Sequence, residues 1–135
     1  MGIQVQWDND ERTTIYVHAE TRRHMSDAYA AMQQIQQMIA SVEHDVDMIV
    51  YIEKIVVLER NYLQHFSHLV QMMPPRLTRA VGVSPDDFIR DVLRVTEHLL
   101  GGLAVKLTFA SSVAEARRQL ARERHESVAS AVGAD

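Results

Sequence analysis

The chain predicts a single-domain α/β fold: a mixed sheet packed with helices in the order β-β-α-β-α-β-α-β-α. Three observations carry this. Period-two alternation at the start gives way to a helical period from Met25 onward. A β-branched apolar run, Val46 to Ile52, has the character of a strand covered on both faces. Two later helix-start signatures separate further apolar runs, and parallel neighbours need such crossovers. The 135 residues, 47% hydrophobic and 24% charged, suit one domain with its own core and argue against a disordered chain.

Ile3, Val5 and Trp7 alternate with Gln4 and Gln6, and Ile15, Val17 and Ala19 alternate with Tyr16 and His18. The polar stretch Asp8 to Glu11 lies between them, so these runs predict a hairpin. From Met25 to Val42 the apolar positions Met25, Ala28/Tyr29, Met32, Ile35, Met38/Ile39 and Val42 recur at three and four, a helix with Gln33, Gln34, Gln36 and Gln37 toward its other side. Val46 to Ile52 is placed centrally in the sheet. Asn61 is positioned to cap a second helix carrying Leu63, Phe66, Leu69/Val70 and Met73, which Pro74-Pro75 stops. A strand, Leu77 to Val83, follows.

Ser84-Pro85-Asp86-Asp87 predicts the next helix start: a serine cap, a proline where no amide hydrogen is needed, and acids at the positive end of the dipole. Phe88/Ile89, Val92/Leu93, Thr96 and Leu99/Leu100 trace its buried stripe, and Gly101-Gly102 ends it. Val105, Leu107 and Phe109 make the last strand. Ser112 to Glu115 reads as a capping box opening a final helix that buries Val113, Ala116 and Leu120. The domain is expected over residues 1–126, with a frayed tail over 127–135, where small residues lose firm periodicity.

Eighteen acidic against fourteen basic side chains give a net charge of -4, which supplies no field for a phosphate backbone or anionic lipid and disfavours nucleic acid. Cysteine is absent, which excludes disulfides, thiolate nucleophiles and Cys-type zinc sites. Met1 to Gln6 lacks the charged and apolar regions of a secretory leader, and Gln6 stands where a myristoylation signal wants Ser or Thr. The longest apolar run, Met48 to Ile52, is far too short to span a bilayer. A cytoplasmic protein with no transmembrane segment is the expectation.

No catalytic set emerges, and a non-enzymatic protein without cofactor or metal is expected. Ser26, Ser84 and Ser112 are better explained as helix-start residues than as nucleophiles, and Gly101-Gly102 follows a helix instead of opening one around a phosphate. His65 and His68 sit three apart on the second helix, but a metal site needs at least one more ligand. Glu43 to Asp47 falls at a helix-to-strand turn, where solvated charge is normal. Arg117, Arg118, Arg122 and Arg124 are interspersed with Glu115, Glu123 and Glu126, the pattern of a salt-laced exposed helix. Met25, Met32 and Met38 keep helical spacing and read as core. Ile55 to Leu58, four apolar residues between charged pairs just after the central strand, has two readings: a partner surface, or a buried loop or helical turn over the core.

An ordered set of motifs carries a family resemblance: Ile3 to Asp8, Tyr29-Ala30-Ala31 through Val42, Val46 to Val50, Asn61 to His65, Pro74 to Leu77, and Phe109 followed by Glu115-Ala116-Arg117. Over residues 3–124 the chain resembles the SpoIIAA-like branch of the STAS superfamily, also described as STAS/SEC14-like. The resemblance implies a regulatory module that binds a protein partner. In the family's switch proteins a serine at the start of the helix after the central strand is phosphorylated, but Glu59-Arg60-Asn61-Tyr62 offers no Ser or Thr there. The expected contact set is Ile55, Val56, Val57, Leu58, Arg60 and Tyr62. The alternative that the SEC14-like branch implies is a carrier of a small nonpolar ligand between the second and third helices, walled by Phe66, Val70 and Met73 and by Phe88, Val92 and Leu99. A homodimer is compatible with either.

Overall fold

The computed structural model describes residues 3–19, 25–53, 61–100 and 106–133. Along them the elements are β1 (Ile3–Trp7), β2 (Thr14–Ala19), α1 (Met25–Ala40), β3 (Val46–Ile52), α2 (Tyr62–Met72), β4 (Leu77–Val83), α3 (Asp87–Leu100), β5 (Lys106–Ala110) and α4 (Val113–Gly133). The α/β class and the element order are those the sequence predicts. α4 continues past Ser127 to Gly133; small residues such as Ala129 and Ala131 are good helix formers even without an apolar stripe.

The five strands lie in sequence order, β1 antiparallel to β2 and every later pair parallel, so β3 is central as predicted. β1 and β2 can be antiparallel because a short turn joins them. Asn9 builds it, its Oδ1 accepting the Thr13 and Thr14 amides at 3.0 and 3.3 Å, while Arg12 takes a positive φ of 56°. The three parallel crossovers each step one strand in the same direction, and right-handed connections of that kind deliver α1, α2 and α3 to the same face.

Strand alternation divides the side chains accordingly. Toward α1 to α3 point Ile15, Val17, Met48 and Ala80, packed with Met32, Ile35 and Ile39 of α1 and with Leu69 and Met72 of α2. Ile89 of α3 joins that face through Ala19, Ile52 and Phe109. The opposite face carries Tyr16, Ile49, Val81, Val83 and Ala110, against Ala116 and Leu120 of α4. At the β3–β4 pair the register shifts between Val46 and Asp47, which leaves Thr78 as an extra residue beside the Asp47 carboxylate. Arg76 closes the end of α1 from a distant part of the chain: its guanidinium donates to the Val42 and Ile39 carbonyls, at the helix end where few intrahelical donors remain.

Three helix starts differ from expectation in detail. Asn61 precedes α2 but its side chain makes no capping hydrogen bond. Asp86, not Ser84, caps α3, with Oδ1 accepting the Phe88 amide at 2.9 Å; Ser84 is fully buried and its Oγ accepts the Asp86 amide instead, forming the turn before the helix. Ser112 caps α4 as predicted through the Glu115 amide, but the Glu115 carboxylate reaches back one residue further, to the Ser111 amide and hydroxyl. These Ser111 hydrogen bonds hold the Glu115 carboxyl below its ordinary range.

Candidate functional site

The carboxyl ends of β2, β3 and β4 lie along one edge of the sheet, where α/β folds place their binding residues. α1, α2 and α3 all leave from this edge. Of the predicted contact set, Ile55, Val56, Val57, Leu58 and Arg60 lie outside the described residues, and Tyr62 is the first residue of α2. Of the predicted ligand walls, Phe66, Val70 and Val92 are half-buried, Met73 packs against the core beneath α1, and Leu99 lies in the last turn of α3. Phe88 does not join the buried stripe assigned to it. It is 62% exposed, and Val95, two turns further along α3, is 55% exposed. Helical geometry accounts for both: residues seven apart nearly superpose, and this pair forms one margin of an apolar arc whose middle, at Ile89, is fully buried. Phe88 sits in the first turn of α3 and so belongs to the carboxyl edge.

On the α4 face, β2 presents Thr14, Tyr16 and His18 in register with Asp47, Ile49 and Tyr51 of β3. The upper part forms a hydrogen-bonded chain. Tyr16 Oη lies 3.2 Å from His18 Nδ1, and His18 Nε2 lies 3.0 Å from Glu53 Oε1. A carboxylate only accepts, so a neutral His18 carries its proton on Nε2 and its Nδ1 accepts from the phenol. The His18 ring also lies 5.1 Å from the Tyr51 ring. Burial, then the neighbouring Tyr51, raises the Tyr16 pKa, and Arg117 opposes this only in part. The phenol is therefore held as a donor and is poorly suited to act as a nucleophile.

The lower part is a cleft of about 360 Å³ between the β1–β2 turn, the start of β3 and α4. Asp8, Thr14, Asp47, Ile49, Arg117 and Arg124 are among its walls. Asp47, which its neighbours Glu43 to Asp45 suggest is solvated turn charge, and Arg124, which the helix pattern suggests is exposed, instead meet in this cleft. Asp47 is 1% exposed, with its Oδ2 accepting from Arg124 Nη2 at 2.6 Å, and the same nitrogen donates to the Thr13 carbonyl at 3.1 Å. Arg79 stands 4.0 Å from the other Asp47 oxygen. Arg117 grips Asp8 with two hydrogen bonds of 3.0 and 2.7 Å, which raises its own pKa. Each of these two arginines thus has an acid opposite it, so the cleft presents no net positive field to an anion and fastens α4 to the sheet.

A third cluster joins α1 and α2. Tyr29 Oη is 2.9 Å from His65 Nδ1 and 3.5 Å from His68 Nδ1, and the Tyr29 ring meets the His65 ring edge-on at 5.7 Å. Sequence reasoning identified both histidines but missed Tyr29 as their partner. The signal available was that the early turns of two consecutive crossover helices lie side by side. Among the described residues no three His, Cys, Asp or Glu side chains gather as a metal site, and no helix is long and apolar enough to cross a membrane. Comparison with protein-family models, curated proteins and solved structures gives no match.

Proposed function

We propose that the chain is a non-enzymatic interaction module, STAS-like in plan but lacking the serine of the phosphoswitch, which docks a protein partner at the carboxyl edge of its sheet. The observation that carries this is the exposure of Phe88 and Val95 on one side of α3, the large hydrophobic side chains most open to water among the described residues. Burying each against a partner contributes about 1.5–3 kcal/mol before association costs. β3 ends at this edge and Tyr62 of the expected contact set opens α2 there, while Ile55, Val56, Val57, Leu58 and Arg60 stand between them in sequence. Supporting the non-enzymatic reading, Tyr16, Arg117 and Arg124 are each engaged in internal hydrogen bonds or ion pairs.

Photo-crosslinking in the native host tests the reading. A photoreactive side chain at position 88 or 95 should yield an adduct with one protein, while the same group at Gln33, an exposed position on α1, should not. Adducts of equal yield at Gln33, or none at 88 and 95, would reject docking through α3. A lipid adduct would transfer the reading to the nonpolar-ligand carrier between α2 and α3.

A further inference from the structure

The histidine pair of α2 lacked a third ligand in the sequence, and the fold provides one from α1. Tyr29 Oη stands 2.9 and 3.5 Å from the Nδ1 atoms of His65 and His68. A phenol carries one proton, so it donates to one imidazole and must accept from the other. The alternative is for all three atoms to face a cation. Bonds of about 2.0–2.1 Å to a tetrahedral first-row ion place neighbouring ligand atoms about 3.3 Å apart, a value that lies between the two separations observed. His68 is exposed while Tyr29 and His65 are half-buried, so one corner of such a tetrahedron opens to water. Three protein ligands with solvent at the fourth position make a site that an ion can enter and leave from the surface.

We propose that Tyr29, His65 and His68 form a binding site for a divalent transition-metal ion, with two imidazole nitrogens and one phenolate oxygen as ligands and solvent at the open position. On binding, the phenol proton leaves to solvent and both imidazoles keep their protons on Nε2. The tetrahedral spacing is the one zinc takes, while the nitrogen and oxygen donors bind copper(II) most tightly among common divalent ions, which makes copper the more sensitive probe. The ion would tie α1 to α2. Both helices begin at the carboxyl edge, but the site uses none of the residues proposed for docking.

The experiment is titration of the full chain, freed of metal by chelation, with Cu2+. One equivalent should bind and produce a visible phenolate-to-copper charge-transfer band. Tyr29→Phe should abolish the band and weaken binding about tenfold or more, and His68→Gln should do the same to affinity, since even loss of a ligand's supporting partner costs about 10–100-fold. His68 is exposed, so its variant keeps the fold, and circular dichroism confirms this for each protein. His44→Ala, at an exposed histidine elsewhere, should change nothing. Absence of the band, or equal affinity in the wild type, Tyr29→Phe and His68→Gln, would overturn the site.

Discussion

The two faces of the sheet are built by different means. Three helices cover one face, and their contacts are almost wholly aliphatic: Ile15, Met48 and Leu77 against Ile35, Ile39 and Leu69. One helix covers the other. There a small apolar strip at Ile49, Val81 and Leu120 is bordered by the Asp8–Arg117 and Asp47–Arg124 pairs. The cause is topological. Right-handed crossovers that all step the same way have no means of reaching the second face, so a helix outside the crossovers, α4, covers it. A single helix shields less area, and polar side chains hold it at its margins. Between sheet and helices the apolar face thus rests on shape and volume, while the α4 face adds directional ion pairs at the sheet itself.

The difference predicts unequal responses to substitution. The largest effect is expected on the three-helix face: Ile39→Ala, at a position 1% exposed, should lower unfolding free energy by about 3 kcal/mol in urea denaturation, because the cavity cannot collapse between α1 and the sheet. On the α4 face, Arg124→Met should cost somewhat less, about 2 kcal/mol, since Asp47 loses its close cation but keeps Arg79 and Thr78 nearby. Adding Asp47→Leu to that variant should recover most of the loss, because an apolar pair needs no desolvation of charge. A double variant as unstable as the single would show that this face depends on charge itself. The smallest effect is a titration. The Tyr16 phenol, raised by burial, contributes stability that is complete below the unfolded tyrosine value of about 10 and is lost as pH rises through the higher folded value. Alkaline ultraviolet difference spectra should show a late-ionising component, and Tyr16→Phe should remove it.

How far each face is legible in the sequence follows the same division. Aliphatic burial leaves a periodic trace, and Ile15, Val17, Met32, Ile35, Ile39 and the β3 run all lie where alternation or helical spacing puts them. Directional contacts leave none. Asp47 stands one residue beyond the polar Glu43-His44-Asp45 turn, inside an otherwise apolar strand, and the arginine that pairs with it, Arg124, comes 77 residues later. The Tyr16–His18 pair was visible as alternate residues of one strand, but Glu53 joins it only through the parallel register of His18 with Tyr51. Phe88 shows the opposite limit. Its spacing fits the apolar arc of α3, yet an arc wider than its contact leaves one margin in water.

The clamps between the first hairpin and the last helix bear on synthesis. Asp8 waits 109 residues for Arg117, and the Thr13 carbonyl waits 111 for Arg124. A nascent chain that has not yet released α4 from the ribosome therefore leaves Ile49, Val81 and Val83 without the helix that covers them, beside an Asp47 without its close counterion. Cotranslational folding can assemble the three-helix side early, but α4 must emerge from the ribosome before the molecule can shut, and until then this surface is one a chaperone would recognise.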